Sequence, residues 1–301
     1  MKKTTNVVAL LSLAVAIPGH VTAEDIETYE LEPNLVVTPS RRVESLSDTL
    51  AAVSVLTRED IERSAAEDLS DLLRSLPGID VVRSGGPGSQ VSIFLRGSNS
   101  NHVLVLIDGV RASSSNTGAY VWEQLPLNQV ERVEVVRGPR GSIYGSDSIG
   151  GVIQIITRSA TTPYARVTGG SYGTAEFEGG LGYEGENTRL SVNAGYRDVD
   201  GFSAQNPNGF SYDPDDDGFE SASLGIKGST QTGSFRWTYS LLALDSETEF
   251  DQGVSETSQA IAALGFHGSF SPAWDYQVLA GYASEELTSD FTFFETGFDS
   301  D

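Results

Sequence analysis

From about residue 160 onward the chain is composed of strand-length stretches, several of which alternate residue type position by position. They are Ala165 to Gly170, Ala175 to Tyr183, Arg189 to Tyr196, Ser221 to Lys227, Ser234 to Leu242, Ala260 to Phe270 and Trp274 to Tyr282. In the second, Phe177, Gly179, Leu181 and Tyr183 fall on one face, with Glu178 and Gly180 between them. Successive side chains of a strand point to opposite faces, so this spelling makes one apolar face and one small or polar face. A strand crossing a bilayer inside a closed sheet has that pattern and needs only about 9–11 tilted residues. The connectors also alternate: Glu184 to Asn187 is short, whereas Asp198 to Phe219 and Asp245 to Ser258 are long and acidic. Short turns on one side and long loops on the other describe an outer-membrane barrel; a soluble sandwich is the competing reading of this segment. The final stretch, Phe291 to Asp301, reads as the start of another strand. A lumen wide enough for a domain of roughly a hundred residues takes about 22 strands, so the barrel is expected to be incomplete in this chain.

The first residues address the chain to export. Lys2 and Lys3 precede an apolar stretch from Val7 to Ile17, a Pro18-Gly19 pair, and the small-residue triplet Val21-Thr22-Ala23. That is the layout of a signal peptide, residues 1–23, with cleavage expected after Ala23. The apolar stretch is too short to span about 30 Å of hydrocarbon as a helix, and no later segment approaches about 20 consecutive apolar residues.

Charge and composition narrow the partners. A formal charge of -23 argues against nucleic acid, whose phosphates repel such a surface. With no cysteine there is neither a disulfide staple nor thiolate chemistry. Three histidines, and no Ser/His/Asp or metal-hydrolase constellation, give an enzyme little to work with. The 32 glycines cluster in the second half, a barrel composition.

Residues 24–42 are acidic and aperiodic and read as a flexible mature N-terminus. Within it Leu35-Val36-Val37-Thr38-Pro39 is an isolated extended patch with no turn to fold it back. Such a peptide suits addition to a partner's sheet edge, and equally suits the first strand of the next domain.

Residues 43–158 form a mixed α/β unit. Thr57 with Asp60 resembles a capping box, and Ser64 with Glu67 repeats the arrangement. Leu69, Leu72, Leu73 and Leu76 then make one apolar helix face that Pro77-Gly78 stops. Short β-rich runs follow at Ile79–Val82, Val91–Leu95, Val103–Ile107, Val133–Val136 and Val152–Ile156. Asp108-Gly109 signals a hairpin turn, and Asn128 with Glu131 is placed to cap one more helical turn.

These residues carry a resemblance. Ile93-Phe94-Leu95-Arg96-Gly97, the run His102 to Arg111, the run Val130 to Pro139, then Ser142, Tyr144-Gly145-Ser146 and Ile149 to Thr157 resemble the plug of TonB-dependent transporters. The match is in order and at family spacing, densest from 68 to 158. The wording FLRGSNSNHVLVLIDGVR is similar to the cobalamin-transporting subfamily. The resemblance implies a plug domain followed by the first strands of a transmembrane antiparallel β-barrel. It implies uptake of a corrinoid across the outer membrane without chemistry on the substrate, with TonB as energising partner. Residues 35–39 then stand where the family keeps its TonB box. Gln90, Ser92 and Asn99, with Asn116 and Thr117, stand where the plug apex touches ligand. Two other readings stay open: a siderophore receptor of the same fold, and a fragment that does not transport.

The resemblance also implies calcium in the long acidic loops, at Asp213, Asp215 and Asp217, then Asp251 and Glu256. Calcium takes about 6–8 oxygen ligands, and carboxylates at alternate positions before Gly218 have a spacing that can converge on one ion. A solvated acidic loop is the alternative. This chain departs from the family pattern at Ser203 and Phe250, with Asp200 as a substitute oxygen. Arg96, Arg137 and Arg140 are expected to be structural charges needing partners. His102 is expected to be a satisfied structural residue.

Overall fold

A computed structural model describes residues 8–13, 35–36, 38, 44–114, 117–206, 208, 215–250, 253–271 and 274–291. The strands, in chain order, are β1 (Val8–Leu13), β2 (Leu35–Val36), β3 (Glu44–Ser45), β4 (Ala52–Leu56), β5 (Ile79–Arg83) and β6 (Val91–Leu95). They continue with β7 (Val103–Ile107), β8 (Val110–Arg111), β9 (Val130–Arg137) and β10 (Gly151–Thr157). The second half supplies β11 (Tyr164–Gly169), β12 (Ala175–Glu184), β13 (Thr188–Val199), β14 (Phe219–Thr232), β15 (Phe235–Phe250), β16 (Gly253–Ser271) and β17 (Trp274–Phe291). Three short helices, α1 (Arg58–Arg63), α2 (Leu69–Arg74) and α3 (Gly141–Tyr144), all lie in the first half.

The first half is a mixed α/β unit built on a five-stranded sheet of order β4-β9-β10-β7-β8. β10 runs parallel to β7; the other neighbours are antiparallel. Alternation splits this sheet into two apolar faces. Val103, Val105, Ile107, Val133, Val135, Ile153 and Ile155 join Leu69, Leu72 and Leu73 of α2 and Ile93 and Leu95 of β6 in the main core. Leu104, Leu106 and Val152, from the other face, form a second cluster against Tyr144 of α3.

Local signals explain the elements. Thr57 and Asp60 close a reciprocal capping box on α1, Asp60 N donating to Thr57 Oγ1 at 3.3 Å and Thr57 N to Asp60 Oδ2 at 3.0 Å. The Thr57 amide, and next the Thr57 hydroxyl at 2.7 Å, donate to the Asp60 carboxyl and hold it below its usual range. The second box is a correction: Ser64 is the C-cap of α1, and α2 starts on Asp68, whose carboxylate accepts from Asp71 N at 2.9 Å. Aspartate one residue before the first buried leucine wins because its oxygen reaches the third amide of that turn. The turn expected at Asn128 is a 3-10 turn over Leu127–Gln129, with Asn128 inside it rather than capping it. Asp108-Gly109 behaves as read: both residues have positive φ, 46° and 83°, and Ile107 pairs with Val110 across them.

β11 to β17 form a meander in which each strand is antiparallel to the next. All seven expected strands are present and most run longer than read, β16 reaching 19 residues. Buried and exposed positions alternate along β14 from Phe219 to Gly225. Small and polar side chains (Ser191, Asn193, Ser221, Ser223, Thr257, Gln259) are buried on the side facing the α/β unit. Phe177, Leu181, Tyr183, Leu224, Trp237 and Leu264 stand exposed. The loop expected at Asp245 to Ser258 is corrected: pairing continues to Phe250↔Gly253, and Thr248 and Phe250 extend the alternation into the acidic stretch.

Val8–Leu13, inside the apolar stretch read as an export signal, lies antiparallel to β17 as the eighth strand of the same sheet. An unpaired strand edge is a template for any β-prone apolar segment. Among the described residues no helix is long and apolar enough to cross a membrane, which does not bear on crossing by strands.

Candidate functional site

The segment read as a coupling peptide is docked. Leu35–Val36 pairs antiparallel with Glu44–Ser45, which corrects the expectation that nothing folds back on it. The reason lies in side chains far along the chain. Glu134 Oε2 accepts from Thr38 N at 3.0 Å and from Thr38 Oγ1 at 2.6 Å. Arg132 donates its Nη2 to the Leu35 carbonyl and its Nε to Glu134 Oε1 at 3.1 Å. Tyr144 OH donates to the Thr38 carbonyl at 2.9 Å. Val36, Thr38, Arg132 and Glu134 are all buried. Val37 and Pro39 lie outside the described residues.

The α/β unit rests on the meander through the apolar Leu242, Leu244 and Ile261 and through polar contacts the sequence did not announce. Lys227 of β14 donates to Asp108 Oδ1 at 2.7 Å and to the Thr157 carbonyl at 3.0 Å. Asp108 also accepts from Thr157 N at 3.1 Å and Thr157 Oγ1 at 2.5 Å. Burial alone raises the Asp108 carboxyl, but the Lys227 charge and these bonds outweigh it and hold it below its usual value. Nearby, Gln129 Nε2 donates to Asn193 O at 3.3 Å and Ser223 Oγ at 3.1 Å. Two inward glycines make room: a Cβ on Gly195 would meet Asn128 Nδ2 at 2.0 Å, and one on Gly225 would meet Gln129 Oε1 at 2.3 Å. Glycine at inward strand positions was the available signal, since it marks close backbone approach.

The residues expected to touch ligand flank β6, lie on it, or follow β8. Gln90 is exposed just before β6, and its carbonyl accepts from Ser84 N at 3.1 Å. Ser92 is half-buried on β6, opposite Val82. Asn99 is exposed, its Oδ1 accepting from Ser100 N at 3.1 Å. Thr117 is exposed, its Oγ1 accepting from Ala119 N at 3.3 Å, while Asn116 lies outside the described residues. Sequence reasoning missed Glu123, whose Oε2 accepts from Val91 N at 3.3 Å. Burial pushes its carboxyl up to about 7 despite that hydrogen bond and the nearby Arg83.

Of the five residues expected to hold calcium, three lie among the described residues. Asp217 is buried and its Oδ2 accepts from Ala204 N at 2.8 Å. Asp215 is exposed, and Glu256 is exposed on β16 opposite Glu247. Asp213 and Asp251 lie outside the described residues. Among the described residues no group of three or more histidines or carboxylates is placed to hold a metal ion. Phe250 packs its ring 5.6 Å from that of Phe291.

Arg137 is structural as expected: Nε donates to Pro77 O at 2.7 Å and Nη2 to Ser54 Oγ at 2.8 Å. Burial, and secondarily the charge of Arg96, lower its pKa. His102 closes a 3-10 turn, its carbonyl accepting from Gly150 N at 3.0 Å.

Residues 45–152 match the family model described as the TonB-dependent receptor plug domain. Over 298 residues the chain is 35% identical to the vitamin B12 transporter BtuB of Photobacterium profundum, covering 97% of this chain and 46% of that protein. The protein of the same description from Vibrio vulnificus is 34% identical, covering 89% of this chain and 45% of its own length. The chain thus spans less than half the length of these curated relatives. Among solved structures, the pyoverdine outer membrane receptor FpvA of Pseudomonas aeruginosa aligns with a TM-score of 0.73 at 18% identity, over 90% of this chain and 42% of that one. The alcaligin receptor FauA of Bordetella pertussis aligns at 0.71 and 18%, over 86% and 43%. At that identity the structural likeness speaks to the fold.

Proposed function

The chain carries the plug domain of the TonB-dependent receptor family in residues 45–152, and on that premise we propose that it serves uptake of a corrinoid across the outer membrane. The observation that carries the substrate class is the 35% identity to a vitamin B12 transporter across 97% of this chain. The named solved neighbours are siderophore receptors, but at 18% identity they support the architecture rather than the cargo. In this reading β11 to β17 are wall strands, with their exposed apolar residues facing lipid and their small polar ones facing the plug.

Ligand is taken at the plug apex, where Gln90, Ser92, Asn99 and the loop bearing Asn116 and Thr117 offer amide and hydroxyl groups. Residues 35–39 then leave their dock and pair with TonB by strand addition, which uses their backbone donors and acceptors. No bond of the substrate changes; the work comes from the partner. Calcium at Asp213, Asp215, Asp217, Asp251 and Glu256 stays part of this proposal, and no step is routed through it.

The test is binding of cyanocobalamin to the full chain in outer-membrane vesicles, with ferric pyoverdine and ferric alcaligin as competitors. Saturable cobalamin binding that neither chelate displaces is expected. Chelate binding without cobalamin binding would reassign the substrate, and binding of none would leave the chain without a transport role.

A further inference from the structure

We propose that Arg132 and Glu134 of β9, with Tyr144 of α3, are positioning residues forming a latch that holds residues 35–38 shut against the plug, so that opening this latch is what frees the coupling segment. The proposal rests on the transport reading for its purpose, but not for its geometry.

The segment cannot hold itself. Its strand pairing amounts to Leu35↔Ser45 and Val36↔Glu44, far short of what an isolated hairpin needs to be stable in water. Four hydrogen bonds from Arg132, Glu134 and Tyr144 supply what pairing does not. Three groups of the segment's backbone are used: the Leu35 carbonyl, the Thr38 amide and the Thr38 carbonyl. Those are groups that an added strand would need, so the docked segment is closed to a partner.

Glu134 is the centre of the device. Its side chain is fully buried, and a buried carboxylate is tolerated only when paired and hydrogen-bonded. Arg132 supplies the charge on Oε1, while Thr38 supplies two donors on Oε2. When the segment leaves, Oε2 loses both of these donors. The latch therefore couples departure of the segment to a loss of hydrogen bonds on the sheet face that β9 shares with Leu104, Leu106 and Val152. Tyr144 joins the two layers, its ring packing on that apolar cluster and its hydroxyl holding Thr38. Because Arg132 and Glu134 are two residues apart on one strand, both point to this face and neither depends on a loop for its placement.

The chain has no cysteine, so one introduced thiol reports cleanly. Val36→Cys is buried in the docked segment, and Val105→Cys is buried in the main core as a control for global opening. Maleimide labelling of each is followed in the full chain in outer-membrane vesicles, without ligand or partner. Glu134→Ala is expected to speed labelling at position 36 at least tenfold, Thr38→Val about threefold to tenfold and Tyr144→Phe about twofold, with position 105 still protected. Unchanged labelling at position 36 in both Glu134→Ala and Thr38→Val would overturn the latch. If Glu134→Ala also exposes position 105, Thr38→Val, which leaves β9 intact, decides alone. These rates do not depend on what the apex binds, so a failure of cobalamin binding leaves this result standing, and the reverse.

Discussion

The plug and the wall solve the same burial problem with opposite grammars. In the plug, apolar residues face inward from both sheet faces, and the side chains of Val133, Val135, Ile153 and Ile155 are all inaccessible. In the wall, Ser191, Asn193, Ser223 and Gln259 are buried alongside Leu242, Leu244 and Ile261, while Leu181, Leu224 and Leu264 are exposed. The plug supplies most of its own solvent-excluded core, which Leu242, Leu244 and Ile261 of the wall complete; the wall has the plug on one side and, in the proposed membrane setting, lipid on the other. The lesson is that burial in this chain has to be judged per region. A buried serine on β14 and an exposed leucine beside it are the expected state there, and would be errors on β9.

The sharpest way to break this contrast is to damage the plug core. Ile153→Ala removes three carbons from a site with no accessible surface, and should cost about 2–5 kcal/mol of plug stability. Trp122 is buried in the plug, whereas Trp237 and Trp274 lie in the wall. With the latter two replaced by phenylalanine, Trp122 fluorescence during urea unfolding reads the plug directly. A loss below about 1 kcal/mol would mean that the plug takes its stability from the wall.

The complementary change strikes the outer face of the wall. Leu224→Arg places a charge where β14 meets Ala194 and Ala243, midway along β13. At the bilayer midplane it should cost about 2–4 kcal/mol, falling to about 0–1 near an interface. The measurement is folding into vesicles of lipids with different chain length. No penalty in any bilayer would argue that this face meets water, and would return the soluble sandwich to consideration.

How much of this is legible in the sequence follows the same divide. Strand existence was readable in both halves, since alternation and short β-rich runs depend only on neighbours in sequence. Val91–Leu95 and Val103–Ile107 even have the expected bounds. Ends were harder wherever a polar stretch continued the ladder, as at Glu247 to Glu256, because acidic composition reads as loop although the backbone pairs through it. The Ser64 box failed for a local reason: Asp68 competes for the same helix and lies nearer its first buried leucine. What was illegible is everything held by residues distant in sequence. Thr38 meets Glu134 across 96 positions, and Asp108 meets Lys227 across 119. A lone lysine on an alternating strand gives no sign of whether it faces lipid, water or a carboxylate.

That lysine gives the smallest and most discriminating test, because it belongs to both regions. Lys227→Met removes the cation beside Asp108 but leaves the Thr157 amide and hydroxyl in place. Removing one partner of a fully buried pair costs about 3–5 kcal/mol; with Lys227 a quarter exposed the expected loss is smaller, about 1–3 kcal/mol. The pH dependence fixes the cause. Asp108 is held below its ordinary value in the folded chain, so the unfolded state binds its proton first as pH falls. The stability this depression gives is whole above the unfolded carboxyl value of about 4 and drains away as pH falls through the lower folded one. The gap between the native chain and Lys227→Met should therefore be constant from pH 7 to about 5 and narrow on further acidification. A gap that persists undiminished well below pH 4 would assign Lys227 a packing role, its stem filling space between wall and plug. In that case the two regions would be joined by shape and by neutral hydrogen bonds such as those of Gln129, and the charge at the joint would be incidental.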